Sequence, residues 1–237
     1  LLYYNDQVLS DAVPVLSIAG PVEIRFAVAN AWKPVGKPVR VTSVRGEEVL
    51  EIDHRPAIDF LSSYLGEHDE PILDFPLAIH DDKTQQFYLR PARKYNHDEG
   101  SVVFIESINE GSIVQLTAAS RNYMLENARE SISTLVSKIK NPYIYSVLGF
   151  SCSLRKDVMG TMGSSETELI RQAFPSGTPV SGFYAFGEIA PLTEHSLPFI
   201  HGGTLITVAI AGDEPPPGPA GEDQGFAGNN ETESSLL

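Results

Sequence analysis

The chain has 237 residues, of which 42% are hydrophobic and 20% are charged, enough to bury at least one sizeable core. Its formal charge is −14, but six of the 31 acids and none of the 17 bases lie in residues 213–237, which leaves 25 acids and a charge of −8 for residues 1–212. This field repels phosphate groups and argues against a nucleic-acid partner and against contact with an anionic membrane.

The sequence also points away from secretion and from cofactors. No apolar run approaches the ~20 residues that span a bilayer, and the N-terminus lacks the basic and apolar regions of a signal peptide. We therefore expect a cytoplasmic location, which the single cysteine, Cys152, also fits. The six histidines are scattered, and no phosphate loop or dinucleotide fingerprint is present, so neither a metal nor a cofactor is expected.

The first half of the chain reads as short strands separated by turns, with one short helix. The helix is predicted over residues 56–65, because Pro56 is suited to its first turn and Gly66 to its end. The strands are predicted at residues 22–29, 39–44, 49–52, 86–89, 102–106 and 113–117. These elements predict a mixed sheet with helices packed on it, and no internal repeat is visible.

The second half alternates helices and strands. Residues 122–140 predict an amphipathic helix, because apolar side chains recur every three or four residues. These side chains are Met124, Ala128, Ile132, Leu135 and Ile139. A strand is predicted at residues 144–150, and a capping box at 165–168 predicts a helix through residue 174. Strands at residues 179–186 and 204–211 follow.

This order of elements defines the expected fold class. A strand, a helix and a strand in succession imply a right-handed crossover and a parallel strand pair. We therefore expect an α/β fold, with a mixed β-sheet layered with helices and a strand-helix-strand crossover in the C-terminal part. Ligand sites in such sheets lie where the carboxyl ends of strands meet their loops. Cys152 and Glu188 both lie just past such ends.

Three segments near these strand ends carry the residue types of a ligand site. They read Phe150-Ser-Cys-Ser-Leu-Arg155, Gly182-Phe-Tyr-Ala-Phe-Gly-Glu-Ile189 and Pro198-Phe-Ile-His-Gly-Gly-Thr204. Together they offer a thiol, a cation, an aromatic wall, glycines for close backbone approach, a carboxylate and an imidazole. We predict that one concavity collects the ligand-binding residues Cys152, Arg155, Gly182, Tyr184, Gly187, Glu188 and His201.

Two of these residues have expected charge partners in a ligand. Arg155 is predicted to clamp a carboxylate through its bidentate fork, and Glu188 is predicted to bind an amine. Three of the predicted site residues also have a plainer interpretation. Cys152 would be a small buried side chain, Arg155 a salt-bridge partner, and Glu188 a solvated loop residue.

In this order and at this spacing, the three segments resemble the C-terminal half of a FIST domain. The pattern of that family reads roughly F-S-C-x-x-R, a helix, G-F-Y-x-x-G-E-I and then F-H-N. The last segment departs from it, because Phe199-Ile-His-Gly202 inserts an Ile and lacks the Asn. The resemblance implies a sensory domain of a cytoplasmic signal-transduction protein that binds amino acids or related small metabolites.

The resemblance also implies a division of the chain. Residues 1–35 would be a remnant of the N-terminal FIST half, and residues 36–212 the C-terminal FIST domain. Residues 213–237 begin with a Pro-rich stretch and continue rich in Gly, Asn, Glu and Ser, which indicates a disordered linker or tail. In the family such a linker leads to a signalling output domain. We therefore expect the chain to be part of a longer protein.

Two alternatives to the sensory interpretation stay open. Cys152, His201 and Glu188 supply the residue types of a Cys-His-acid triad, although no nucleophile signature surrounds the cysteine. A protein-interaction module is the other alternative, because eukaryotic members of the family occur with an F-box, of which nothing is visible in this sequence. The sequence favours binding, and we do not expect an enzyme.

Overall fold

The computed structural model describes residues 2–4, 6–13, 15–72, 74–81, 86–191 and 196–216. Its helices are α1 (Ala57–Leu65), α2 (Arg121–Lys138), α3 (Ser153–Met159) and α4 (Ser165–Ala173), with a 3₁₀ turn at Gly160–Met162. Its first strands are β1 (Leu2–Tyr4), β2 (Gln7–Leu9), β3 (Val22–Asn30), β4 (Trp32–Pro34), β5 (Val39–Arg45), β6 (Glu48–Ile52), β7 (Arg55–Pro56), β8 (Leu77–Asp81) and β9 (Gln86–Arg90). The others are β10 (Ala92–Asn96), β11 (Ser101–Phe104), β12 (Ile113–Ala119), β13 (Tyr143–Cys152), β14 (Val180–Ala185), β15 (Glu188–Pro191), β16 (Pro198–His201) and β17 (Thr204–Gly212).

The first half of the chain forms an antiparallel sheet. Its strand order is β10-β11-β6-β5-β12-β8-β9, with β4 added to β12 and β7 added to β6. Helix α1 packs Phe60 and Leu61 onto this sheet and ends at Gly66, whose positive φ of 83° suits a glycine. The resulting core also buries Val41, Ile52 and Phe104.

The C-terminal strands form a mixed sheet of order β14-β13-β17-β3. Strands β13 and β14 are parallel and are joined by α3 and α4, whereas β17 lies antiparallel to both β13 and β3. The expected α/β fold with a strand-helix-strand crossover is therefore confirmed. One face of the sheet packs against α2 and α4 through Ala29, Val147, Leu205 and Ala209.

Strand β3 belongs to this mixed sheet along its whole length. It pairs with β17 from Val22–Asn30 to Thr204–Gly212. The strand nevertheless lies within residues 1–35, which the sequence assigns to a separate half. The boundary between residues 35 and 36 therefore does not separate two sheets, and it stays a prediction.

Helix α2 has the predicted amphipathic form. Ser120 caps its N-terminus by accepting a hydrogen bond from the Tyr123 backbone N–H at 3.3 Å. The residues Met124, Ala128, Ile132 and Leu135 are all buried, as their spacing predicts. The helix thus covers the mixed sheet with one continuous apolar stripe.

The C-terminal crossover differs from the prediction in two places. Helix α4 begins at Ser165, so the N-cap is Ser164, which makes no side-chain capping bond. The predicted capping box of Ser165 and Glu168 is therefore wrong, because Ser165 is already the first helical residue and not the N-cap. The second difference is α3, which the sequence does not predict; it starts directly after β13 and has only seven residues.

A small third core lies between the two sheets. It buries Trp32, Leu89, Met124, Cys152 and Met159. No helix in the described part of the chain is long and apolar enough to cross a bilayer. The predicted linker at residues 213–237 falls outside the described residues beyond Pro216.

Candidate functional site

A cavity of about 150 Å³ lies where four parts of the fold meet. These parts are the end of β9, the segment that follows β11, the β13–α3 junction, and the β15–β16 pair with the residues before it. The cavity is lined by Leu89, Arg90, Pro91, Ile105, Glu106, Cys152, Ser153, Leu154, Asp157, Phe186, Gly187, Ile200, His201 and Gly202. The lining is mostly apolar and carries a few polar groups, the composition of a small-molecule site.

Cys152 lies at the back of this cavity. It is the last residue of β13 and directly precedes α3, and its side chain is buried. Burial raises the pKa of the Cys152 thiol, and the nearby Glu188 raises it further. The backbone N–H groups of Gly203 and Leu154 act in the opposite direction but do not reverse the shift. The thiol is therefore protonated near neutral pH and is a poor nucleophile.

Glu188 is a buried carboxyl beside Cys152. It is 4% exposed, and its Oε2 accepts a hydrogen bond from Thr204 Oγ1 at 2.8 Å. The other oxygen, Oε1, is shielded from solvent and has no hydrogen-bond partner among the described residues. Burial raises the pKa of Glu188 to about 7, against the lowering effect of Thr204. The carboxyl thus changes charge near neutral pH.

His201 lies directly across the hairpin from Glu188. It is buried, and its Nε2 donates to the Ala190 carbonyl at 2.7 Å. Burial lowers the pKa of His201, as does the positive charge of Arg90. The ring is therefore neutral near pH 7, and its Nδ1 carries a lone pair.

Arg90, which the sequence analysis does not single out, supplies the cation of the cavity. Its Nη1 donates to the Leu89 carbonyl at 3.1 Å and to the Ile200 carbonyl at 2.9 Å. Its guanidinium lies 4.4 Å above the Tyr88 ring. The sequence carries only a weak signal for this role: Arg90 is the last residue of a strand and directly precedes Pro91.

The opening of the cavity carries two acids and an aromatic ring. Glu106 is half-buried and Asp157 is exposed, and both line the cavity. Phe186 is 94% exposed, an unusual position for a phenylalanine ring. Ile105 and Glu106 reach the cavity because β11 ends at Phe104, two residues before its predicted end.

Arg155 does not line the cavity. It is fully buried, and its Nε donates to Glu166 Oε1 at 2.9 Å, while Nη2 forms a second bond to the same oxygen. Its Nη1 donates to the Gly203 carbonyl at 3.2 Å. The expected carboxylate clamp at Arg155 is corrected to a structural ion pair, because the guanidinium is already bound inside the protein.

Gly182 and Tyr184 lie at a different hollow. Both line a depression beside α4 together with Glu166 and Ile170. The Tyr184 hydroxyl donates to the Gly163 carbonyl at 2.9 Å. The aromatic wall expected from Tyr184 is therefore absent from the cavity, where Phe186 stands instead.

The structure thus brings together part of the predicted site. Cys152, Gly187 and His201 line one cavity, and Glu188 lies directly behind Cys152. Glu188 also lines a separate apolar hollow on the open face of the mixed sheet. A side-chain hydrogen bond with Cys152 slightly lowers the pKa of Glu188, so the thiol faces the carboxyl. The Nε2 of His201 is instead bound to the Ala190 carbonyl, and within the described part of the chain no hydrogen bond joins His201 to Cys152, so the arrangement is not that of a catalytic triad.

Comparisons with known proteins agree with the motifs. The FIST N domain profile matches residues 1–55, and the FIST C domain profile matches residues 57–191. The chain is similar to two Mycobacterium tuberculosis proteins, uncharacterized protein MT0656 of strain CDC 1551 / Oshkosh and uncharacterized protein Rv0628c of strain ATCC 25618 / H37Rv. Each is 22% identical over 216 residues, which cover 86% of this chain and 55% of the relative. No solved structure matches.

These matches have different weights. The chain spans about half the length of the curated relatives, whose names give no activity. The FIST C domain match alone covers more than half of the chain, and the FIST N domain match covers most of the residues before it. FIST domains are sensory domains of signal-transduction proteins. The chain belongs to the FIST family.

Proposed function

We propose that this chain senses a small molecule for a signal-transduction protein, and that the ligand binds in the cavity beside Cys152, Gly187 and His201. The observation that carries this proposal is the cavity itself, which lies between the two sheets and has a mostly apolar lining with few polar groups. A ligand there contacts both sheets and the hairpin at once.

The charges around the cavity favour an amino acid or a related metabolite. Arg90 offers a cation, and Glu106 and Asp157 offer carboxylates. A zwitterion matches this arrangement. The volume of about 150 Å³ is below the roughly 300–1,000 Å³ of pockets that hold drug-sized ligands, so the ligand is small.

The hairpin of β15 and β16 is the proposed moving part. It contributes His201 and Ile200 to the cavity, and Phe186 precedes it. A ligand that prefers one position of the hairpin shifts the population towards it. An attached or associated output domain is the proposed partner that responds to this shift.

Binding is a better account of Cys152 than catalysis. A nucleophilic cysteine needs a lowered pKa, which a neighbouring cation or imidazole supplies. The largest influences on Cys152 are instead burial and the carboxyl of Glu188, which raise the pKa of the thiol and outweigh the lowering effect of the Arg155 cation. We therefore infer that the domain is not an enzyme.

A second candidate function, protein interaction, is favoured by the open face of the mixed sheet. That face has an apolar hollow of about 410 Å³ bordered by Phe150, Phe183 and Ile206. Phe183 is 65% exposed and Ile189 is 73% exposed. Changing both to Ser should reduce self-association in sedimentation velocity if the face makes contacts, and unchanged sedimentation would count against this function.

The sensory proposal is tested by occupying the cavity with protein atoms. Native mass spectrometry of the purified chain would reveal a copurified molecule, and thermal unfolding with the twenty amino acids would reveal added ligands. The variant Cys152→Met fills the cavity, whereas Cys152→Ala leaves it open. We expect ligand-dependent stabilisation in wild type and in Cys152→Ala, and none in Cys152→Met. Equal stabilisation of both variants would place the ligand elsewhere.

A further inference from the structure

We infer that Arg90 receives the carboxylate of the ligand, and that the cavity therefore selects small monocarboxylates. This inference rests on the proposed function of the cavity and names the chemistry that it recognises. It assigns to Arg90 the anion-binding role that the sequence motifs place at Arg155.

Arg90 forms no direct ion pair within the described part of the chain, although the carboxylate of Glu106 acts on it at longer range and raises its pKa. No carboxylate of a described residue lies within 4 Å of its guanidinium, unlike the guanidinium of Arg155, which is paired with Glu166. Arg90 is only half exposed, and this partial burial lowers its pKa. A cation in such a place is stabilised by an anion.

The guanidinium has one edge without a protein acceptor. Its Nη1 is bound to the carbonyls of Leu89 and Ile200. Its Nε is shielded from solvent and has no acceptor, and the described residues accept no hydrogen bond from its Nη2. Nε and Nη2 form one of the two edges through which an arginine binds a carboxylate with two parallel hydrogen bonds. The protein thus holds Nη1 and gives no acceptor to Nε or Nη2. Because Nε is shielded from solvent, a carboxylate forms the two-bond contact when the groups that cover Nε move aside.

The surrounding charges decide which anion fits. Glu106 and Asp157 line the same cavity and repel a dianion such as phosphate more strongly than a single carboxylate. A planar monocarboxylate matches the fork in geometry and satisfies the single positive charge. An amine on the same ligand would also be attracted by the two acids.

The test compares carboxylic acids with their uncharged amides. The probes are the twenty amino acids, their C-terminal amides, and acetate, propionate, lactate and pyruvate, with calorimetry on any probe that raises the unfolding temperature. The variants are Arg90→Gln, which removes the charge, and Arg90→Lys, which keeps the charge without the fork. Arg93→Gln is the matched control, because Arg93 is exposed and lies three residues away.

We expect acids to bind and their amides to fail, with affinity falling roughly 10- to 100-fold in Arg90→Gln and less in Arg90→Lys, as for the loss of charged hydrogen bonds. Arg93→Gln should bind like wild type. If Arg90→Gln does not fold, two measurements still test the inference: the comparison of acids with amides on wild type, and the affinity of Arg90→Lys for the acids. Amides that bind as tightly as acids, or full affinity in Arg90→Lys and Arg90→Gln, would overturn the inference.

A separate outcome distinguishes this inference from the proposed function. If no carboxylate in the panel binds wild type, the role of Arg90 is overturned. The sensory cavity would still stand if native mass spectrometry found an uncharged molecule that wild type retains and Cys152→Met excludes.

Discussion

The guanidinium of Arg155 and the carboxylate of Glu166 form an ion pair that is closed off from solvent beneath the mixed sheet. The two side chains are 0% and 4% exposed, and Arg155 Nε lies 2.9 Å from Glu166 Oε1. Ser151 Oγ donates to the second oxygen of Glu166 at 2.9 Å. The pair joins α3 to α4 and to β13, so it fixes the wall behind Cys152.

Breaking this pair should destabilise the domain. Arg155→Met leaves a buried carboxylate without its cation, and we expect the free energy of unfolding to fall by about 3–5 kcal/mol. The double variant Arg155→Met/Glu166→Leu should lose less free energy of unfolding than Arg155→Met alone, because neither charge of the buried pair remains. Urea unfolding measures both. Arg171→Met, at an exposed position on α4, should stay within about 0.5 kcal/mol of wild type. A double variant as unstable as the single one would contradict this account.

Glu188 should make stability depend on pH. Its pKa in the folded protein, about 7, is above the ordinary value of 4.5, so the folded state binds the proton more tightly than the unfolded state. The contribution of Glu188 is therefore fully present below pH 4.5 and is lost as the pH rises to about 7, by at most about 3 kcal/mol. His201, with a lowered pKa, acts in the opposite direction below pH 6.5.

The variant Glu188→Gln isolates this contribution, because Gln can still accept the hydrogen bond from Thr204. We expect wild type to lose stability relative to Glu188→Gln between pH 5 and pH 8, measured by urea unfolding at each pH. Both proteins contain His201, so its effect cancels when their free energies of unfolding are subtracted at each pH. A constant difference across this range would show that Glu188 does not titrate near 7.

Gly182 should tolerate no side chain. It pairs with Gly149 across the parallel strands β13 and β14, and an added Cβ would lie 1.8 Å from the Gly149 carbonyl oxygen. Gly182→Ala should therefore cost at least about 3 kcal/mol, because backbone must move. Gly163→Ala is the control, since its Cβ meets nothing closer than 3.4 Å. Equal unfolding temperatures for Gly182→Ala and Gly163→Ala would disprove the predicted clash with the Gly149 carbonyl oxygen.

Cys152 should react slowly in the folded protein. Its thiol is buried and its pKa is raised, so both access and thiolate fraction are low. We expect iodoacetamide at pH 7.5 to modify the folded chain at least about 100-fold more slowly than the urea-unfolded chain. Mass spectrometry follows the modification over time. Fast, ligand-protected alkylation together with turnover of a substrate would favour the enzyme alternative.

Regular apolar spacing made much of the fold predictable. Helix α2 and strands β13 and β17 appear within two residues of their predicted bounds, because each buries one side against the same core. Strand β10 was missed because a bulge between Ala92 and Lys94 breaks its alternation. Helix α3 was missed because seven residues without a capping side chain give little periodic signal.

The site was less predictable because the sheets meet only in three dimensions. The motifs predict a site that includes Cys152, Gly187 and His201, and in the structure these three residues line one cavity. Arg90 comes from a different sheet and is brought to the cavity by the packing of β9 against β16. The inward turn of Glu166 also has no local signal, yet it takes Arg155 away from any ligand.

Trp32 is the only tryptophan of the chain, and it lies beside the turn that follows His201. Its ring is buried and donates from Nε1 to the Asp74 carbonyl at 2.9 Å. A Cβ at Gly203 would lie 2.6 Å from the ring, so indole and turn cannot move independently. Intrinsic fluorescence excited at the indole therefore comes from one place, against the turn that contributes Gly202 to the cavity lining. If the proposed ligand occupies the cavity, its binding should change this fluorescence, with no label to attach.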